Sequence, residues 1–87
     1  MQVYFFTSPT CGPCKAVKPV VTELQEDYKQ VNWANVDTTA DPNHYATTYK
    51  VMHVPTMVAV YNGKEVGRHS GSRNVSGYYT LFRDATA

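Results

Sequence analysis

Eighty-seven residues, 43% of them hydrophobic and 13% aromatic, suffice for one hydrophobic core in a single domain, 1–87, and exclude a disordered tail or a two-domain enzyme. Eight Lys and Arg side chains interleave with seven acids to a net charge of +1, so no basic stripe offers a nucleic acid a footing. The opening MQVYFFTSP has no basic segment and too short an apolar run for a signal peptide or membrane span, so a cytoplasmic chain with no membrane partner is expected.

Residues 3–7 form a β-rich run followed by a Ser-Pro-Thr turn, so a strand opens the chain. Beyond Cys11, the apolar residues Val17, Val20, Val21, Leu24 and Tyr28 recur at helical spacing, with Pro13 suited to the first turn and Pro19 expected to kink the interior. Residues 31–36 (VNWANV) alternate apolar and polar as a second strand, which Asp37 ends. Asp41-Pro42 reads as a helix start, the carboxylate capping free N–H groups, with a short helix to about Val51. After Pro55 the run TMVAVY reads as a buried strand, and Asn62-Gly63 as a two-residue hairpin turn that pairs it antiparallel with residues 64–70. A final helix, capped near Asn74 or Ser76, is expected to bury Val75, Tyr78, Tyr79 and Phe82. This order implies an α/β domain whose first two strands are parallel and joined by a crossover, with both cysteines at the carboxyl end of the first strand.

The only cysteines lie in SPTCGPCK, spaced for a redox couple, half a zinc site, or a structural bridge. A closed zinc site needs four ligands, and His44, His53 and His69 supply no second half-site, so no metal is expected. A bridge across one helical turn closes too small a loop to stabilise much. Redox exchange has a physical rationale instead: a thiolate at Cys11 is favoured by the unpaired N–H groups and positive end of the following helix. Cys14, one turn on, is close enough to attack a mixed disulfide formed at Cys11. Gly12 and Pro13 hold the pair in a tight turn without bulk.

CGPC with Lys15 and Pro19, then Asn35-Val36-Asp37, Tyr49, Val51 and Val54-Pro55-Thr56, and finally Asn62-Gly63-Lys64 with Gly71, resembles the thioredoxin family along essentially the whole chain. The resemblance implies a thioredoxin-like fold, a central four-stranded mixed sheet flanked by three helices, without the extra N-terminal strand and helix of full-length thioredoxins. It implies further that Cys11 attacks and Cys14 resolves, with no cofactor, and that Pro55 is a cis proline lying against the disulfide. Val54 would offer its backbone to an extended substrate and Gly71 would keep the substrate groove open, with Thr10, Gly12 and Pro13 beside it.

The departures carry information. Thr10 stands where the family usually has Trp, Phe5 where it has a buried acid, and Trp33 where that acid's lysine partner sits. Exchanging both members of a buried ion pair for aromatics repacks a charged site as an apolar one and removes the group that assists proton loss from Cys14. His53 is the nearest replacement base, set against the plainer reading of a solvated loop histidine; His44 and His69 are read as exposed. The implied activity is a monomeric protein-disulfide reductase supplied by a thioredoxin-reductase-like donor, with disulfide-containing protein substrates such as ribonucleotide reductase. The alternatives are a glutathione-coupled, glutaredoxin-like enzyme, and a binding module in which redox is incidental. Ser72, Arg73 and Asn74, where glutaredoxins have an acidic pair, weaken the glutathione reading.

Overall fold

A computed structural model, which describes residues 1–86, runs β1 (Gln2–Thr7), α1 (Cys14–Asp27), β2 (Asn32–Asp37), α2 (Tyr45–Thr48), β3 (Thr56–Tyr61), β4 (Lys64–Ser70) and α3 (Ser76–Thr86). The strands form one sheet in the order β2-β1-β3-β4, with β1 and β2 parallel and the other two pairings antiparallel. The expected mixed sheet with three helices is therefore present, and the crossover through α1 leaves the cysteines at the carboxyl end of β1.

Alternation along β1 divides the interior in two. Val3 and Phe5 face one side, where Val17, Val21 and Leu24 of α1 and Tyr78 and Phe82 of α3 complete a buried cluster with Met57 and Ala59. Phe6 faces the other, packing with Val36, Val58 and Val60 under Tyr45, Tyr49 and Val51. β3 lies centrally, and residues 56–60 are all buried, which explains its unbroken apolar run. The hairpin turn forms as its sequence requires, with φ of 53° at Asn62 and 78° at Gly63.

Three details depart from expectation. Pro13 occupies the N-cap of α1 rather than its first turn, while Pro19 lies inside the helix, which runs on to Asp27. α2 is only four residues long. Asp41 does cap it, accepting from the backbone N–H of Tyr45 at 3.1 Å and of Ala46 at 2.9 Å, but across a turn that ends in left-handed His44 at φ 55°. Left-handed Lys50 closes the other end, and two threonines within so short a helix add little propensity. In α3, Tyr78 and Phe82 are buried as expected, whereas Tyr79, and Val75 in the turn before the helix, are each 36% exposed. Tyr79 turns outward and its hydroxyl donates to Glu23 of α1.

His69, expected to be exposed, is half-buried. Its ring meets Tyr78 edge-on at 4.6 Å, and Nε2 lies 2.8 Å from the carbonyl of Asn74. The ring occupies the space a Cβ at Gly77 would need. Gly77→Ala should therefore break this clasp, losing about 1 kcal/mol of hydrogen bond and about 1 kcal/mol of ring contact against a helix-propensity gain of up to about 1 kcal/mol, a net cost of about 1 kcal/mol. In a His69→Ala background the same change should stabilise by up to about 1 kcal/mol through helix propensity, and a two-by-two set of urea midpoints reads the change of sign.

Candidate active site

The chain leaves β1 through a turn closed by the N–H of Cys11 on the carbonyl of Ser8 at 3.2 Å, which brings Cys11 in front of α1. Pro13, at φ −59° and ψ −27°, is already helical, and the N–H groups of Lys15 and Ala16 fold back onto the carbonyls of Gly12 and Pro13. Cys14 then opens the helix with its N–H 3.1 Å from the Cys11 sulfur. A helix-terminal donor thus points at the Cys11 sulfur, and no acidic residue in the first turn offsets the positive end of the helix there.

The two sulfurs are joined, with Cα atoms 5.4 Å apart. Their surroundings differ: Cys11 is half-buried and reachable, whereas Cys14 is 4% exposed beneath the helix start. Only Cys11 offers an incoming disulfide a line of approach.

Facing the cysteine turn is the Val54-Pro55 peptide bond, which is cis as the resemblance implied. The carbonyl of Pro55 accepts from the N–H of Gly71 at 2.9 Å, and the Thr56 hydroxyl donates to the carbonyl of His53 at 2.6 Å, so both sides of the proline are tied down. Gly71 sits at φ 89°, where a side chain would be strained, and a Cβ there would meet only open space. A cleft of about 380 Å³ lies between Pro13, Val54 and Pro55 on one side and residues 70–74 on the other.

Of the residues singled out in the sequence, Pro13, Val54, Pro55 and Gly71 meet at this cleft, while Thr10 and Gly12 are exposed on the cysteine turn and do not line it. Ser70, Ser72, Arg73 and Asn74 join the lining, the last three marked in the sequence only by the lack of the acids of a glutathione site. The signal for them was position: they flank a glycine already assigned to the groove. The apolar pattern marks Tyr78 as core alone, yet its hydroxyl donates to the Gly71 carbonyl and fixes the cleft wall from below.

Burial pushes the Tyr78 phenol up to about 12, and burial together with the neighbouring Tyr49 does the same for Tyr4. The folded state thus holds protons that the unfolded chain loses near pH 10. The stability these tyrosines contribute is complete below pH 10 and declines as pH rises towards 12. Urea midpoints across pH 8 to 12 should follow that decline, and Tyr78→Phe should make it shallower.

Phe5 is 2% exposed within the α1–α3 cluster, and Trp33 packs against the same cluster, its ring stacked on Phe82 at 5.1 Å and its Nε1 donating to the Tyr28 carbonyl. Phe5 also borders a cavity of about 270 Å³ shared with Lys18, Gln25, Asn35 and Asp37. The Asp37 carboxylate accepts from the hydroxyl and N–H of Thr39, which hold its carboxyl below the ordinary range and make it a poor proton acceptor near neutrality. His53 is exposed, in a cavity with Thr38, Met52 and Val54 rather than in the cleft lined by Pro13.

A four-stranded sheet carrying a bonded cysteine pair at a helix N-terminus, opposite a cis proline, defines a class of folds built around a dithiol–disulfide couple. The thioredoxin family model matches residues 1–81, and the chain belongs to the thioredoxin family. It is 38% identical over 68 residues to an H-type thioredoxin of Fagopyrum esculentum, an alignment covering 78% of this chain and 58% of that protein. A thioredoxin of Staphylococcus aureus is 33% identical over 72 residues, with 82% and 68% covered. The crystal structure of thioredoxin from Trypanosoma brucei brucei superposes with a TM-score of 0.85 at 26% identity, covering 98% of this chain and 74% of that one. The chain thus spans between about half and three-quarters of these relatives' length.

Proposed function

We propose that the protein is a thiol-disulfide oxidoreductase that reduces protein disulfides through Cys11 and Cys14. The carrying observation is the asymmetry of the pair: an accessible Cys11 sulfur 3.1 Å from a helix-terminal N–H, and a sheltered Cys14 bonded to it.

In the reduced protein the Cys11 thiolate attacks one sulfur of a substrate disulfide, forming a mixed disulfide and expelling the other sulfur as thiolate. Cys14 then gives up its proton and attacks the Cys11 sulfur, so that the intramolecular bond forms as the second substrate sulfur leaves. Two electrons pass from the dithiol to the substrate, and the expelled thiolates take up protons. Val54 and Pro55 present an extended edge on which the substrate segment lies across the cleft towards Gly71. With Phe5 in place of an acid, the proton of Cys14 leaves to solvent or to the departing thiolate, and resolution is the slower step. Electrons to restore the dithiol come from a thioredoxin-reductase-like donor, and the targets are disulfide-containing proteins such as ribonucleotide reductase. The working state is a monomer in the cytoplasm, with no prosthetic group required.

Insulin reduction, followed by turbidity, tests this reading. Turnover is expected with NADPH and thioredoxin reductase and not with glutathione and glutathione reductase. Turnover with glutathione alone would make the protein glutaredoxin-like, and none with either donor or with dithiothreitol would leave only a binding role.

A further inference from the structure

The cleft is lined by a cation without the acids that nearly balance the charge of the whole chain. Net charge is +1, yet none of the seven acids lines the cleft, whereas Arg73 does. Each acid is placed elsewhere. Glu23, Glu26 and Asp27 belong to the second half of α1, and Asp84 to the last turns of α3. Asp37 is held by Thr39, Asp41 caps α2, and Glu65 is paired with Arg68. Among the described residues no carboxylate lies within ion-pair distance of Arg73, which is exposed at the cleft wall. Two helix N-termini lie beside the same cleft, α1 behind Pro13 and α3 just beyond Asn74, and neither has an acid in its first turn to offset its positive end. Lys15, exposed in the first turn of α1, adds to the same sign.

We infer that Arg73 makes the cleft selective for disulfides whose flanking segment carries a carboxylate side chain, an Asp or Glu beside the cysteine under attack. The inference rests on the oxidoreductase reading and adds the substrate class. A segment lying along Val54 towards Gly71 passes the Arg73 guanidinium, whose donors are free to grip a carboxylate in bidentate fashion. A neutral neighbour leaves that cation solvated and gains nothing. A basic neighbour meets Arg73 and both helix ends with like charge.

Two disulfide-bridged peptides, identical except for Glu or Gln beside the attacked cysteine, give the test. The rate constant for oxidation of pre-reduced protein by each peptide is measured under single-turnover conditions. The Glu/Gln ratio is then divided by the ratio dithiothreitol gives with the same peptides, which removes the intrinsic effect of a carboxylate on the sulfur. The wild-type ratio should be about threefold or more in low salt and should fall towards one in 0.5 M salt, as expected of an exposed charge pair. Arg73→Glu should invert the ratio and Arg73→Lys should restore a preference for Glu; because each ratio is internal to one variant, the fraction of folded protein cancels. A wild-type ratio near one overturns the inference while leaving the oxidoreductase reading intact. A wild-type preference that survives Arg73→Glu also overturns it, since recognition would then lie with the helix ends. Reduction of neither peptide would sink the oxidoreductase reading and this inference together.

Discussion

Cys11→Ser should lower disulfide reduction by on the order of 10³-fold or more, because no other sulfur in the molecule is both accessible and served by a helix-terminal N–H. Cys14→Ser should behave differently. Its first step is intact, so it should attack a substrate disulfide and then stall as a stable mixed disulfide at Cys11, visible as an adduct by mass spectrometry and released by dithiothreitol. The two variants thus separate attack from resolution. Should Cys14→Ser turn over and Cys11→Ser form the adduct, the roles drawn from their unequal exposure would be reversed. Retained partner function in Cys11→Ser without any exchange would point instead to a binding module.

Phe82→Ala should be among the most damaging single changes in the core. Phe82 is 1% exposed, its ring lies 4.4 Å from Tyr28 and 5.1 Å from Trp33, and it fastens α3 onto the α1 side of the sheet. Truncating such a side chain costs about 3–5 kcal/mol, of the same order as the whole stability of many small domains. Urea unfolding followed by Trp33 fluorescence should show the midpoint collapse, with Phe82→Leu retaining most of it. The exposed neighbours give the contrast: Val75→Ala should shift the midpoint by no more than about 0.5 kcal/mol. A Val75 effect as large as that of Phe82 would mean that α3 sits on the sheet through a different face.

These two experiments also separate what could be read without a structure from what could not. The redox pair was legible because its logic is local: CGPC forms a tight turn that leads directly into the helical stripe beginning at Val17. The hairpin was legible for the same reason, since Asn62 and Gly63 both need positive φ whatever surrounds them. α3 was legible as a helix but not in its facing. Val75, Tyr78, Tyr79 and Phe82 satisfy one apolar pattern, yet the cluster above β1 and β3 has room only for the face bearing Tyr78 and Phe82, which leaves Tyr79 to bond Glu23. The extent of α2 is not legible because Asp41 signals a cap without revealing that a turn separates it from the N–H groups it serves.

From its residues alone the chain determined its element order, its hairpin and its closely spaced cysteine pair, because each depends on spacing within a few residues, and its parallel opening pair, because the helical stretch between the two strands serves as a crossover. Only the tertiary structure decided which sulfur is reachable, which residues beyond Gly71 wall the cleft, and that Arg73 lies there with no acid lining it. The physical reason is that accessibility and field at a site are sums over neighbours brought together from β1, β3, β4 and two helix ends, and chain order does not encode distances among them.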